Sequence, residues 1–112
     1  MTDYFVTVSG PLKLYESHES ATRSQKQALQ HLLAYDGINQ PAVSLNGKEG
    51  EQEVNLEMSC VVSCGSWAPG EAATIAGKAF SEAVDFFTGD WKQVRCVIAV
   101  IKEKSGQQGA ST

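Results

Sequence analysis

The sequence predicts an α+β fold of the ferredoxin-like kind: a βαββαβ sandwich in which two helices cover one face of a four-stranded antiparallel sheet. Three observations predict it. Segments of alternating polarity and segments of helical periodicity follow one another in the order β-α-β-β-α-β. The two middle extended segments are joined by the turn signal Asn46-Gly47. Right-handed crossovers then set the long third strand beside the first, with the last strand on the first strand's other side. An ACT-like or dimeric α+β-barrel arrangement shares this element order.

The elements follow in turn. Residues 4–15, YFVTVSGPLKLY, alternate β-branched or aromatic residues with polar ones, and Gly10-Pro11 marks a bulge, an edge or a tight turn. In YESHESATRSQKQALQHLLAYDG, Ser17 or Ser20 can cap a helix and Asp36-Gly37 supplies its stop. Its apolar face is expected to hold Ala21, Gln25, Ala28, Leu29, Leu32 and Leu33. A short strand AVSL precedes the turn, and the twelve-residue run EVNLEMSCVVSC follows it. In GSWAPGEAATIAGKAFSEAVDFFTGD, Pro69 suits the first turn of a second helix and Gly89 its C-terminal stop. Ala72, Ile75, Ala76, Ala79, Phe80, Ala83, Phe86 and Phe87 share its apolar face. WKQVRCVIAVIKEK reads as a single last strand. Residues 1–104 thus form one domain, and the polar tail 105–112 is expected to be mobile.

Composition narrows the function. The chain of 112 residues has a net charge of −4, and its nine Lys and Arg are scattered, which argues against phosphate neutralisation and so against nucleic acid. The N-terminus lacks the pattern of a signal peptide, and no apolar run is long enough for a membrane span. Three cysteines are an awkward count for a disulfide scaffold, so a reducing cytoplasm is the expected compartment.

Cys60 and Cys64 are the first candidates for chemistry. Period-two alternation puts both on the apolar face of one strand, roughly 13 Å apart. That is too far for a disulfide or a shared zinc. Cys96 is expected two strands away, and buried thiols acting as small hydrophobes are the reading that fits. Cys64 alone lies near a helix start, where a thiol pKa can fall. The loop GSWAPGE has phosphate-loop glycine spacing, but Glu71 and Ala72 stand where Lys and Ser/Thr are needed. Trp67 on that loop is either a core plug or an exposed anchor for a partner.

At the other pole, Glu16, His18, Glu19, Glu49, Glu51 and Asp90 are expected to converge, as a metal or acid–base site or as a solvated acidic rim. No spacing matches a known metal motif, no catalytic set is recognisable, and no cofactor is expected. The remaining candidate is the face of the sheet away from the helices. Glu53, Asn55, Glu57, Ser59, Val61 and Ser63 share it with Arg95, Val97, Ala99 and Ile101, and it begins acidic and ends apolar.

Two functions follow as expectations. The first is a small acidic, non-enzymatic binding or assembly module, a homodimer or protein-partner protein. It would act through Asn55, Glu57, Val61, Val97 and Ile101, with Trp67 as a further anchor. Its size and charge are those of bacterial or phage accessory proteins. The second is a small-ligand-binding protein or cofactor-free enzyme of the dimeric α+β-barrel type, with Gln25 and His18 as its polar groups.

Overall fold

The computed structural model describes residues 2–48, 51–65 and 69–101. Its elements run β1 (Thr2–Leu14), α1 (His18–Leu33), β2 (Asn39–Asn46), β3 (Glu53–Cys64), α2 (Pro69–Val84), β4 (Gly89–Trp91) and β5 (Arg95–Val100). The sheet is antiparallel in the order β2-β3-β1-β4, with β5 also pairing β1. This is the expected order, with the last of four strands divided in two. Strand β1 pairs β3 over its whole length, from Thr2↔Cys64 to Lys13↔Glu53. On its other side β1 pairs β5 from Tyr4↔Val100 to Ser9↔Arg95, and β4 from Leu12↔Trp91 to Leu14↔Gly89.

The division of the last strand corrects the expectation of a continuous one. Lys92, Gln93 and Val94 stand opposite only Gly10 and Pro11, which makes a β-bulge. Gln93 sits there at φ 57. A Cβ on Gly10 would lie 3.0 Å from the Gln93 carbonyl oxygen, so any larger residue would press on the backbone of the bulge. Strand β1 itself runs unbroken through Gly10-Pro11. The amide of Leu14 donates to Gln52 across the β3 side (2.7 Å), so even-numbered residues of β1 face β3 and Pro11 faces the bulge. A proline is tolerated in this central strand because its missing N–H falls where the ladder is already interrupted.

Ser17 caps α1, its hydroxyl accepting the Ser20 amide at 3.1 Å. Gly37, at φ 96, turns the chain after the helix. The buried face of α1 is Ala21, Ser24, Ala28 and Leu32; Leu33 is 64% exposed, one residue out of phase with the core. Helix α2 starts on Pro69 and ends at Val84, five residues before the expected stop. Gly89 instead opens β4, pressed against the Lys13 carbonyl where no side chain fits. Ala72, Ala76, Ala79 and Ala83 are fully buried on α2, and this alanine face lets the helix lie close on the sheet. Phe86, expected on that face, is 39% exposed.

The core lies between the helices and the inner face of β1, β3 and β2, where Tyr4, Val6, Leu12, Leu56, Met58 and Val62 are all nearly inaccessible. Helix α1 packs on β2, and α2 on β3 and β1; neither has more than marginal contact with β5.

Candidate functional site

The open face of the sheet is built row by row across the strands. Asn55 pairs with Asn46 and Pro11, and Glu57 with Ser44 and Ser9, the latter also opposite Arg95. Ser59 pairs with Ala42 and Thr7, next to Val97. Val61 pairs with Phe5, and Phe5 in turn with Ala99. In the last row the Ile101 amide donates to the Asp3 carbonyl at 2.9 Å, and the Ser63 hydroxyl donates to the Asp3 carboxylate.

Polarity divides this face. Phe5, Val61, Val97, Ala99 and Ile101 adjoin one another toward one end, and no helix covers them. Val61 is itself buried at 8% exposure, although it points away from the helices, because Phe5 stands directly beside it. Phe5 and Val97 remain 41% and 52% exposed. Asn55 and Glu57, also expected at this surface, are exposed in the polar half. Beyond them Pro11, Lys13, Tyr15, Glu53, Asp90, Lys92 and Gln93 line a shallow depression of about 290 Å³. There the Tyr15 hydroxyl donates to Asp90 at 2.8 Å; that hydrogen bond raises the phenol pKa, helped by partial burial and the carboxylate charge. Trp67 and Glu49 lie outside the described residues.

At the expected acidic pole Glu16, His18 and Glu51 line one shallow depression, while Glu19 and Asp90 bond elsewhere, to Arg23 and Tyr15. One oxygen of Glu16 accepts from the Ser20 hydroxyl (2.6 Å) and the buried Ser24 hydroxyl (3.1 Å), while the other accepts the Thr88 amide. His18 Nε2 lies 2.8 Å from the Glu51 carbonyl, the geometry of a ring N–H donating to it. Glu19 pairs with Arg23 at 3.3 Å. Among the described residues no three of the His, Cys, Asp and Glu side chains come together in a set able to hold a metal. Gln25 is half-buried and donates to the Val43 carbonyl at 2.8 Å, tying α1 to edge strand β2.

Cys60, Cys64 and Cys96 form no disulfide. Burial pushes the Cys60 thiol up to about 11. Cys64 is also raised, by burial first and by the Glu71 carboxylate second, against a smaller lowering from the Ala72 backbone. The helix start therefore does not activate this thiol. Cys96 is exposed, because no helix reaches β5.

Two features were not read from the sequence. Phe5 belongs to the open face, and alternation about the buried Tyr4 and Val6 was signal enough to place it there. The exposure of Cys96 and Val100 on the helix side of β5 depends on how far α2 extends over the sheet, which no local pattern encodes.

No protein-family model and no curated protein matches this sequence. Solved structures do. A dimeric protein of unknown function from Bacteroides fragilis NCTC 9343, described as having a ferredoxin-like fold, aligns at TM-score 0.53 and 18% identity. The alignment covers 88% of this chain and 96% of that one. The fold is ferredoxin-like. The de novo designed protein Foldit4 aligns at TM-score 0.51 and 11% identity, over 90% of this chain and 98% of its own. At such identities the likeness to both structures is one of fold alone. No helix among the described residues is long and apolar enough to cross a membrane.

Proposed function

We propose that this protein is a non-enzymatic assembly module that associates with a second copy of itself through the open face of its sheet. The observation that carries the reading is the cluster of Phe5, Val61, Val97, Ala99 and Ile101 on a face no helix covers. Burying such side chains is worth about 25 cal/mol per Å² of apolar surface, and a contiguous patch marks an association site. The B. fragilis protein of like fold is described as dimeric, which agrees with a fold that leaves one sheet face free to pair. Gln25 and His18, the polar groups of the ligand-binding alternative, each make a hydrogen bond that holds the fold together. That use favours assembly over small-molecule chemistry. Three cysteines outside any disulfide suit a reducing cytoplasm, and a role as an accessory factor of a bacterium or phage fits the chain's size and net negative charge.

Light scattering coupled to size exclusion tests the reading. Phe5→Asp and, separately, Val97→Asp should halve the mass of the wild-type assembly while leaving the circular dichroism unchanged. A wild-type chain that stays monomeric at millimolar concentration, or a folded Phe5→Asp variant of undiminished mass, rules it out.

A further inference from the structure

We propose that β5 also pairs edge to edge, antiparallel, with β5 of a second copy of this chain, about a two-fold axis beside Ile98. This goes beyond the face contact proposed above, because it rests on the unpaired backbone of one sheet edge.

The two edges of the sheet are built differently. Edge strand β2 carries Pro41, a left-handed Gln40 at φ 50, and a register shift between Asn39 and Ala42. These are the devices that blunt an edge against further pairing. Along β5 and into Ile101 there is no charge, proline or glycine from residue 96 onward, and Val97, Ile98, Val100 and Ile101 are β-branched. The Ile101 amide donates to Asp3, so Arg95, Val97, Ala99 and Ile101 direct their peptide groups at β1. Cys96, Ile98 and Val100 direct theirs away from the sheet, and no described strand pairs with that side. The side chains are exposed on both faces, Val97 at 52% on the open face and Val100 at 58% on the helix side. A face-to-face contact would cover Val97 and leave Val100 and Cys96 in water. A strand laid along the edge adds cover to both faces.

Charge and size select a second copy as that strand. Setting Ile98 opposite the partner's Ile98 uses the whole of residues 95–101, with Cys96 opposite the partner's Val100 and Val97 opposite the partner's Ala99. The same register puts Arg95 in line with the partner's Ile101 and, one strand further, with the partner's Asp3 on the same face. Two strand spacings separate Arg95 from that Asp3 by roughly 10 Å between backbones, a span their two side chains can bridge. The two-fold axis makes this opposite-charge pair twice. Each chain carries a net charge of −4, and the uncharged run 96–101 flanked by such pairs is where two copies can approach with the least of that repulsion.

Seven residues per copy fall well short of the roughly 20–30 per side of a standard interface, so the edge ladder alone is weak. Its effect is to merge the apolar clusters of two open faces across the axis into one larger patch. Face contact between two such pairs then closes the assembly as a tetramer with three two-fold axes.

Cross-linking and mass together test the edge. In a Cys96→Ser background, Ile98→Cys places two thiols across a hydrogen-bonded pair, about 5.5 Å between Cα atoms and within disulfide range. Mild oxidation should link this variant into a covalent dimer at least tenfold faster than Val100→Cys in the same background, which lies on the helix side with residue 96 as its partner position. Ile98→Pro removes an N–H that points away from β1 and a side chain only partly buried against the core, so it should fold and halve the mass; Ile98→Lys should do the same should the proline variant fail to fold. A folded edge variant of wild-type mass, or equal cross-linking of the two cysteine variants, overturns the proposal. Cross-linking of Ile98→Cys that persists with Phe5→Asp added would leave the edge standing even where the face reading falls.

Discussion

At the residue scale, the three thiols differ only through what covers them. Cys60 points into the core between the sheet and helices, while Cys96, on the same side of the sheet, lies beyond the reach of α2. Thiolate is the reactive form, so a thiol-labelling reagent at pH 8 should modify Cys96 at least a hundredfold faster than Cys60 or Cys64 in the native protein. Rapid modification of Cys60 would mean that β3 is turned the other way. The raised Cys60 pKa also makes a stability statement. Between the ordinary thiol value of 9.0 and about 11, the unfolded chain gives up a proton that the folded chain keeps. Stability contributed by the neutral buried thiol is intact below about pH 9 and is lost as pH rises through that window, by up to about 3 kcal/mol. Urea unfolding at pH 8 and pH 10.5 should show this loss, and Cys60→Ala, less stable throughout, should show a shallower fall with pH. An equal fall in both proteins would assign it to tyrosines and lysines instead.

At the element scale, the helix phases show what the sequence made legible. Ala21, Ala28 and Leu32 are buried as periodicity implies, yet the stripe sits one residue back, so that Ser24 is buried and Leu33 exposed. Ser24 is accommodated because Glu16 accepts its hydroxyl, a contact across eight residues that hydrophobic pattern alone does not reveal. Leu32→Ala should therefore cost about 2–4 kcal/mol in chemical denaturation and Leu33→Ala less than about 0.5. Equal costs would put the helix in the phase read from the sequence. Strand β3 was fully legible, its twelve residues alternating and both cysteines facing in. The division of the last strand was not, because the bulge depends on Gly10 meeting Gln93, two residues far apart in sequence. Gly89 was visible as a helix stop and serves as a point of contact between strands. Gly89→Ala should destabilise by roughly 2–3 kcal/mol through the clash with the Lys13 carbonyl, with the m-value unchanged. The open face was legible through β3 and β5, whereas Phe5 and the bare helix side of β5 required the packed arrangement.

At the scale of the whole molecule, opposing terms act on association, and salt separates them. Each chain is net negative at −4, so two copies repel through solvent, and that repulsion is screened beyond about 10 Å at 0.1 M salt. The apolar cluster around Phe5 and Val97 is insensitive to screening. The Arg95–Asp3 pairs inferred at the edge lie at an exposed rim, where an ion pair contributes about 0–1 kcal/mol, so they fix register more than affinity. Raising sodium chloride from 0.05 to 0.5 M should therefore leave the dissociation constant unchanged or lower it two- to fivefold, as measured by sedimentation equilibrium. A contact held by the acidic half of the sheet, through Glu53 and Glu57 against a basic partner, would instead weaken at least tenfold over that range. The sign of the salt dependence thus decides which half of the open face meets the partner. In the weakening case Glu57→Gln should reproduce the effect of salt while Phe5→Asp leaves binding intact; in the other, Phe5→Asp dissociates the assembly at every salt concentration.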